Sequence, residues 1–191
     1  MKRFALSIAV MFLSCVLLGS CSQKNMRLNI LQKNIKKTPN SAKAHNDLAY
    51  FYDENGEYEK AIKEYEKSLE IRPGDFLATN NMGQSYFNLG DYEKAREIFS
   101  DLTKKRSKDS RVQSNLAMSY HRLEMYPEAV KHYRKALELS PNNKNAQDGF
   151  GILKEEIKAK GITLESLEIP GEDDVGLQDE EAVESSDEAA E

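Results

Sequence analysis

Residues 48–65 read LAYFYDENGEYEKAIKEY, and related segments follow at 82–99 (MGQSYFNLGDYEKAREIF) and at 116–133 (LAMSYHRLEMYPEAVKHY), each 34 residues after the last. In every copy a small residue follows a larger apolar one, and aromatic residues and an alanine recur at fixed places. A period of this length indicates repeated supersecondary units, each burying its apolar face against the next. The repeat therefore decides the fold before any other feature does.

Within each copy the apolar residues recur at the spacing of α-helices, arranged as a pair. We predict pairs at 42–55 with 58–71, at 76–89 with 92–105, and at 110–123 with 127–139. Small residues such as Ala49 and Ala61 let two helices approach closely. Pro73 and Pro141 follow second helices, because proline lacks the N–H and clashes with the preceding turn.

Further helices are expected at both ends of the repeats. Residues 26–37 carry Leu28, Leu31 and Ile35 at helical spacing, and an apolar stripe runs through 143–160 as far as Gly161. Three helix pairs are close to the minimum for stability and need covered ends. We therefore predict an all-α fold at 26–161, an α-solenoid of three helix pairs with N- and C-terminal capping helices.

The repeat pattern resembles the tetratricopeptide repeat over residues 42–143. It departs from that family at His45, Thr79 and Gln113, where tryptophan is expected, and at Ser107, where the second repeat lacks the closing proline. The resemblance implies a superhelix whose concave face is lined by the first helix of each pair.

The first residues have the pattern of an export signal. Lys2 and Arg3 precede an apolar run at 4–18, which is shorter than the roughly 20 residues of a bilayer span. The run ends in LGSC at 18–21, which resembles the lipobox of bacterial lipoproteins. The resemblance implies removal of 1–20, acylation of Cys21 with palmitate among the attached chains, and a lipid-anchored, extracytoplasmic location. In a Gram-negative organism Ser22 favours the periplasmic face of the outer membrane.

Two short segments border the predicted domain. Residues 21–25 are predicted to be a short tether, and five basic residues at 24–37 favour either a solvated helix face or a contact with anionic lipid. Residues 162–191 hold twelve acidic residues and no lysine or arginine, which predicts a disordered tail. That tail solubilises the chain, binds a basic partner or folds back on the basic domain.

The chain contains no pattern typical of a catalytic site. It has two cysteines and three scattered histidines, with neither a glycine-rich phosphate loop nor a nucleophile elbow. We therefore expect no enzymatic activity, no cofactor and no metal ion. Nucleic acid is not expected as a partner either, because no base-stacking pattern accompanies the basic residues and the chain is expected to be exported.

The expected partner is a protein or an extended peptide held in the concave groove. Amides facing such a groove offer a donor and an acceptor to a peptide backbone, which is similar to the asparagine ladder of some peptide-binding tetratricopeptide proteins; a solvated helix face explains them equally. Asp53 and His121 lie on the same helix faces. The predicted groove residues are Asn46, Tyr50, Asn80, Asn81, Gln84, Phe87, Arg111, Asn115 and Met118.

Another ligand class of that family is poorly matched. Some members hold a C-terminal carboxylate in a basic clamp, but Asn46, Tyr50 and Asn115 stand where Lys, Asn and Arg are expected. We predict a lipid-anchored scaffold that supports assembly or stability of an envelope complex, such as secretion or pilus machinery. The alternatives are an accessory that delivers substrates to an envelope protease or cell-wall enzyme, and a structural lipoprotein that self-associates. The sequence leaves the oligomeric state open.

Overall fold

The computed structural model describes residues 22–167, which form eight α-helices and one 3-10 turn. Every helix of the three predicted pairs lies within one residue of its predicted bounds, so the all-α solenoid is confirmed. The signal segment, Cys21 and 168–191 lie outside the described residues. The helices are α1 (22–37), α2 (Ala42–Glu54), α3 (Tyr58–Ile71), α4 (Phe76–Leu89), α5 (Tyr92–Lys105), α6 (Ser110–Arg122), α7 (Tyr126–Leu139) and α8 (Lys144–Ala159), and the 3-10 turn is Glu165–Leu167.

The first helix of each pair begins at a capping side chain, and these caps recur every 34 residues. Ser41, Asp75, Asp109 and Asn143 precede α2, α4, α6 and α8, and each side chain accepts a hydrogen bond from a backbone N–H of the first turn. Such caps satisfy donors that have no partner within the helix. Because Asn143 continues the series, α8 takes the place of the first helix of a fourth pair.

The turn inside each pair contains one residue with left-handed backbone geometry. Gly56 has a φ of 72°, Gly90 has 93°, and Glu124 has 57° in the third pair. Glycine adopts this conformation without a steric penalty, whereas a residue with a Cβ is disfavoured there. The turn therefore keeps its backbone path in the third pair although the glycine is missing.

Small residues let the helices of a pair approach closely, as the sequence predicts. Ala49 and Ala61 are fully buried between α2 and α3. In the second pair, a Cβ atom on Gly83 would lie 2.9 Å from the ring of Phe99 on α5. The aromatic ring therefore fills the space that a side chain at position 83 would need.

The first helices of the pairs form the inner layer of the solenoid. Helix α2 contacts α4, α4 contacts α6, and α6 contacts α8, whereas the second helices α3, α5 and α7 make no such contacts with one another in the described residues. A two-layer stack curves toward the layer whose helices lie closer together. The concave face is therefore lined by α2, α4, α6 and α8.

The N-terminal boundary differs from the prediction. Residues 22–25, predicted as a tether, are helical and belong to α1. Lys24 and Arg27 bind the end of the first turn, with Nζ to Oε1 of Glu57 at 3.1 Å and Nη1 to Oε2 of Glu54 at 2.6 Å. These ion pairs join residues far apart in the sequence, which is why local patterns did not reveal the longer helix.

The C-terminal boundary also differs from the prediction. Residues 162–167, predicted as the start of the disordered tail, turn back on the last core cluster. Ile162, Leu164 and Leu167 pack there, and the 3-10 turn contacts α7. The acidic composition of 162–191 as a whole concealed these three apolar residues. Among the described helices, none is long and apolar enough to cross a bilayer.

Candidate functional site

Apolar side chains form a row along the concave face. Tyr50 on α2 is 48% exposed and Ile152 on α8 is 64% exposed, and between them lie the half-buried Gln84 and Met118. These residues are spaced by 34, so they occupy one position on four successive first helices, and we call them the inner row. Leu77, 60% exposed, lies two turns before Gln84 on α4. This surface suits the side chains of an extended segment.

Three amide side chains form a hydrogen-bonded chain between α4 and α6. Nδ2 of Asn115 donates to Oδ1 of Asn80 at 3.2 Å, and Nδ2 of Asn80 donates to Oδ1 of Asn81 at 3.4 Å. Asn81 also lies beside the Tyr65 hydroxyl. The structure thus brings together the three asparagines that the sequence predicts for the groove.

Asn115 plays a different part from the predicted one. It is only 8% exposed, and its amide nitrogen is already bonded to Asn80. A buried amide needs such a partner to offset its lost hydration. Asn115 therefore fixes the floor of the groove by joining α6 to α4, and the prediction of a freely exposed amide is wrong for this residue.

Phe87 also requires a correction. Its ring is half-buried, lies edge-on to Tyr92 with centroids 5.2 Å apart, and packs against the core cluster that contains Phe99. Much of the ring thus contacts the adjoining helix α5. The sequence placed Phe87 on the right helix, but the wide turn of the aromatic side chain toward α5 depends on the following pair.

The remaining polar residues of the predicted groove are only partly engaged. Arg111 is exposed and its Nη2 binds Oδ2 of Asp109 at 3.2 Å. Nε2 of Gln84 donates to Oδ1 of Asn88 at 3.3 Å along α4. Asn46 is half-buried, and its Oδ1 has no hydrogen-bond partner among residues 22–167.

A half-buried carboxylate lies where α2 meets α4. Oδ2 of Asp53 accepts from the Tyr65 hydroxyl at 2.8 Å, and Oδ1 accepts from the Ser85 hydroxyl at 2.7 Å. Burial raises the pKa of Asp53, and the two donated hydrogen bonds only partly oppose that effect. Burial, together with the charge of Asp53, also raises the pKa of Tyr65 well above its usual range.

Three residues of this surface were missed by the sequence analysis. Ile152 stands 34 residues after Met118, so extending the period to α8 would have found it. Leu77 stands the same distance before Arg111 and could have been found in the same way. Ser85 reaches Asp53 through packing between pairs, and no sequence signal indicates that contact.

The three histidines serve packing contacts. Nδ1 of His45 lies 2.6 Å from Oε2 of Glu64, and His132 stacks on Tyr120 with centroids 5.4 Å apart. His121, which shares a helix with the groove residues, contacts the capping helix α8. Residues 22–167 contain no group of three or more His, Cys, Asp or Glu side chains arranged to hold a metal ion.

Comparison with known structures shows the same fold in several proteins. MamA from residue 41 onward, from Desulfovibrio magneticus RS-1, is 18% identical with a TM-score of 0.59, over 72% of this chain and 87% of that one. The Sgt2 tetratricopeptide domain from Aspergillus fumigatus is 24% identical with a TM-score of 0.59, over 75% and 91%. The first such domain of Spaghetti (RPAP3), bound to the HSP90 peptide SRMEEVD, is 23% identical with a TM-score of 0.57, over 62% and 94%.

Sequence comparison points to one family. No curated protein sequence gives a significant match. Three tetratricopeptide repeat profiles match, at residues 30–63, 54–118 and 110–143. Together they span 30–143, and their period is the period of the helix pairs and their caps. The chain therefore belongs to the tetratricopeptide repeat family.

Proposed function

We propose that this chain is a non-catalytic adaptor that holds an extended segment of a protein partner in its concave groove while anchored through Cys21 to the extracytoplasmic side of a bacterial membrane. The observation that carries the binding role is the inner row. It presents exposed Tyr50 and Ile152 at the two ends of one groove, above a floor of amides that are held in place.

The groove offers two kinds of contact to such a segment. Apolar side chains that leave water on the inner row contribute about 25 cal/mol per Å² of buried area. Gln84 and Asn46 keep hydrogen-bonding capacity for a peptide backbone. Binding by one structural neighbour, the Spaghetti (RPAP3) domain, to an HSP90 peptide supports the use of this fold for peptide recognition.

The first helix supports a position close to a lipid surface. Cys21 directly precedes the described part of α1, on which Met26 is 66% exposed and Ile30 is 50% exposed. Lys33 and Lys37 are also exposed and follow Ile30 on the same side of the helix. A stripe of this kind suits an anionic membrane surface, where each lysine contributes about 1 kcal/mol.

Affinity capture from native envelopes tests the groove. Gln84→Arg places a bulky charge in the inner row, and Glu70→Arg places the same residue on the exposed side of α3 as a matched control. We expect the native chain and the Glu70→Arg variant to capture the same partner, and the Gln84→Arg variant to lose it. Capture of that partner by all three forms would contradict binding in the groove.

Membrane fractionation tests the anchor separately. Cys21→Ser removes the proposed acylation site and leaves every described helix unchanged. We expect this variant to leave the membrane fraction and appear in the soluble extracytoplasmic fraction. Membrane association as tight as that of the native chain would contradict a lipid anchor at Cys21.

A further inference from the structure

The junction of α2 and α4 carries acceptors for which the described residues supply no cation. We propose that Asn46, Tyr50 and Asp53 form a subsite for a lysine or arginine side chain of the bound segment. The inference rests on the proposed groove-binding function and names the chemistry of the residue that the groove selects.

Asp53 supplies the negative charge of this subsite. Its carboxylate is held by the hydroxyls of Tyr65 and Ser85, at 2.8 and 2.7 Å, and both donors are neutral. A carboxylate has about four acceptor positions, so two donated bonds leave room for an N–H donor. A half-buried charge without a cation is costly, and a charged donor from a ligand offsets part of that cost.

The neighbouring cations on this side of the molecule already have partners. Lys43 binds Asp47 at 2.6 Å, and Arg27 binds Glu54 at the same distance. These pairs occupy the basic side chains that flank Asp53 along α2 and α1. The charge of Asp53 is therefore left for a ligand to neutralise.

Asn46 and Tyr50 stand on the same side of α2 as Asp53. The three residues are four and then three positions apart, which places them one above another along a helix. Oδ1 of Asn46 is buried and has no hydrogen-bond partner within residues 22–167, so it accepts an N–H from a bound segment without breaking another bond. The Tyr50 ring is 48% exposed and offers a face to a cation.

The combination favours a basic side chain over other ligands. A carboxylate repels an acidic residue, and a neutral polar residue would leave the charge of Asp53 uncompensated. Lysine and arginine carry donors at the end of an apolar stem, which suits contact with Tyr50 on the way to Asp53.

Nuclear magnetic resonance titration of the non-acylated chain 22–191 tests this subsite directly. The probe is Nα-acetyl-arginine methylamide, and its matched control is the citrulline analogue, which has nearly the same shape without the charge. We expect saturable shifts at Asn46, Tyr50 and Ser85 with the arginine probe, and binding at least about tenfold weaker with the citrulline probe. Equal shifts with both probes, or no saturable shift at these residues, would overturn the proposal.

Two isosteric variants make the test specific. Asp53→Asn keeps an acceptor for the Tyr65 and Ser85 hydroxyls, so the fold is expected to be retained, which the unperturbed spectrum of the other repeats verifies. Asp47→Asn removes the same charge from the exposed pair with Lys43 on the same helix. The arginine shifts should disappear in the first variant and persist in the second. Persistence in both would contradict a role for Asp53.

Failure of this subsite and failure of the proposed function have different signatures. If the groove binds a segment without a basic residue, the Asp53→Asn variant captures the envelope partner as the native chain does, while the Gln84→Arg variant still loses it. That result would reject the subsite and retain the groove. Partner capture by the Gln84→Arg variant would reject the groove itself.

Discussion

At the scale of single residues, Glu124 is the clearest departure from the repeat pattern. It adopts a φ of 57° in the turn where the first two pairs have Gly56 and Gly90. A residue with a Cβ pays a steric penalty there, and the ion pair of Glu124 with Lys160 is exposed, with 3.3 Å between Nζ and Oε2.

Replacing Glu124 by glycine should therefore stabilise the fold. We expect Glu124→Gly to raise the free energy of unfolding by about 1 kcal/mol, measured by urea denaturation. Gly90→Ala is the reverse change in the second pair, where nothing lies within 4 Å of the added Cβ, and it should lower stability by a similar amount. A loss of stability in Glu124→Gly would show that the side chain matters more than the strain of the turn.

At the scale of helices, the amide chain joins the inner layer. Asn115 on α6 is buried and bonded to Asn80 on α4, whereas the amide of Gln84 bonds only within α4. Removing Asn115 leaves Asn80 without this donor and a small cavity in its place.

These contacts give the two amides different expected effects. We expect Asn115→Ala to lower the free energy of unfolding by about 1–2 kcal/mol, and Gln84→Ala to change it by less than about 0.5 kcal/mol, as for other surface substitutions. Urea denaturation of both variants provides the comparison. Equal losses would mean that Asn115 carries no special load between α4 and α6.

The capping helix α8 is fastened by a carboxylate whose ionisation depends on its neighbours. Oε2 of Glu156 lies 2.9 Å from Nε2 of His121, and Oε1 accepts from the Tyr126 hydroxyl at 2.8 Å. The contact with His121, followed by those with Tyr126 and Lys160, lowers the pKa of Glu156 to about 2.

A lowered carboxyl pKa predicts how this end of the molecule responds to acid. The stabilisation is complete above the ordinary glutamate pKa, and it is lost as pH falls from about 4.5 toward 2. Glu156→Gln should lower stability at pH 7 and narrow its difference from the native chain as pH falls through this window. Urea denaturation at pH 7, 4.5 and 3 gives the comparison, and a constant difference at all three would contradict the linkage.

The sequence predicted the helices well because the repeat constrains them many times over. The pattern of small and aromatic residues around Ala49 recurs in every pair, so a local ambiguity in one copy is resolved by the others. The side chains that line the groove lack this redundancy. Asn115, Phe87 and Ser85 have positions set by contacts with a neighbouring pair, and single-chain periodicity does not encode which neighbour each one meets.

At the scale of the whole molecule, the solenoid brings together residues that are far apart in the chain. Tyr50 and Ile152 stand at opposite ends of the inner row, three repeat periods apart, yet they share one face because α8 continues the inner layer. A partner that follows this row would contact all four first helices at once. The capping helix is therefore part of the proposed binding surface as well as a cover for the core.

The central claim is that the concave groove is the partner-binding surface. Site-specific photo-crosslinking in native envelopes tests it most directly, with benzoylphenylalanine at Tyr50 or Ile152 on the inner row and at Lys63 or Lys135 on the exposed second helices. The account predicts that both inner positions form a covalent adduct with the same protein and that the two outer positions do not. Adducts from Lys63 and Lys135, with none from Tyr50 and Ile152, would contradict it.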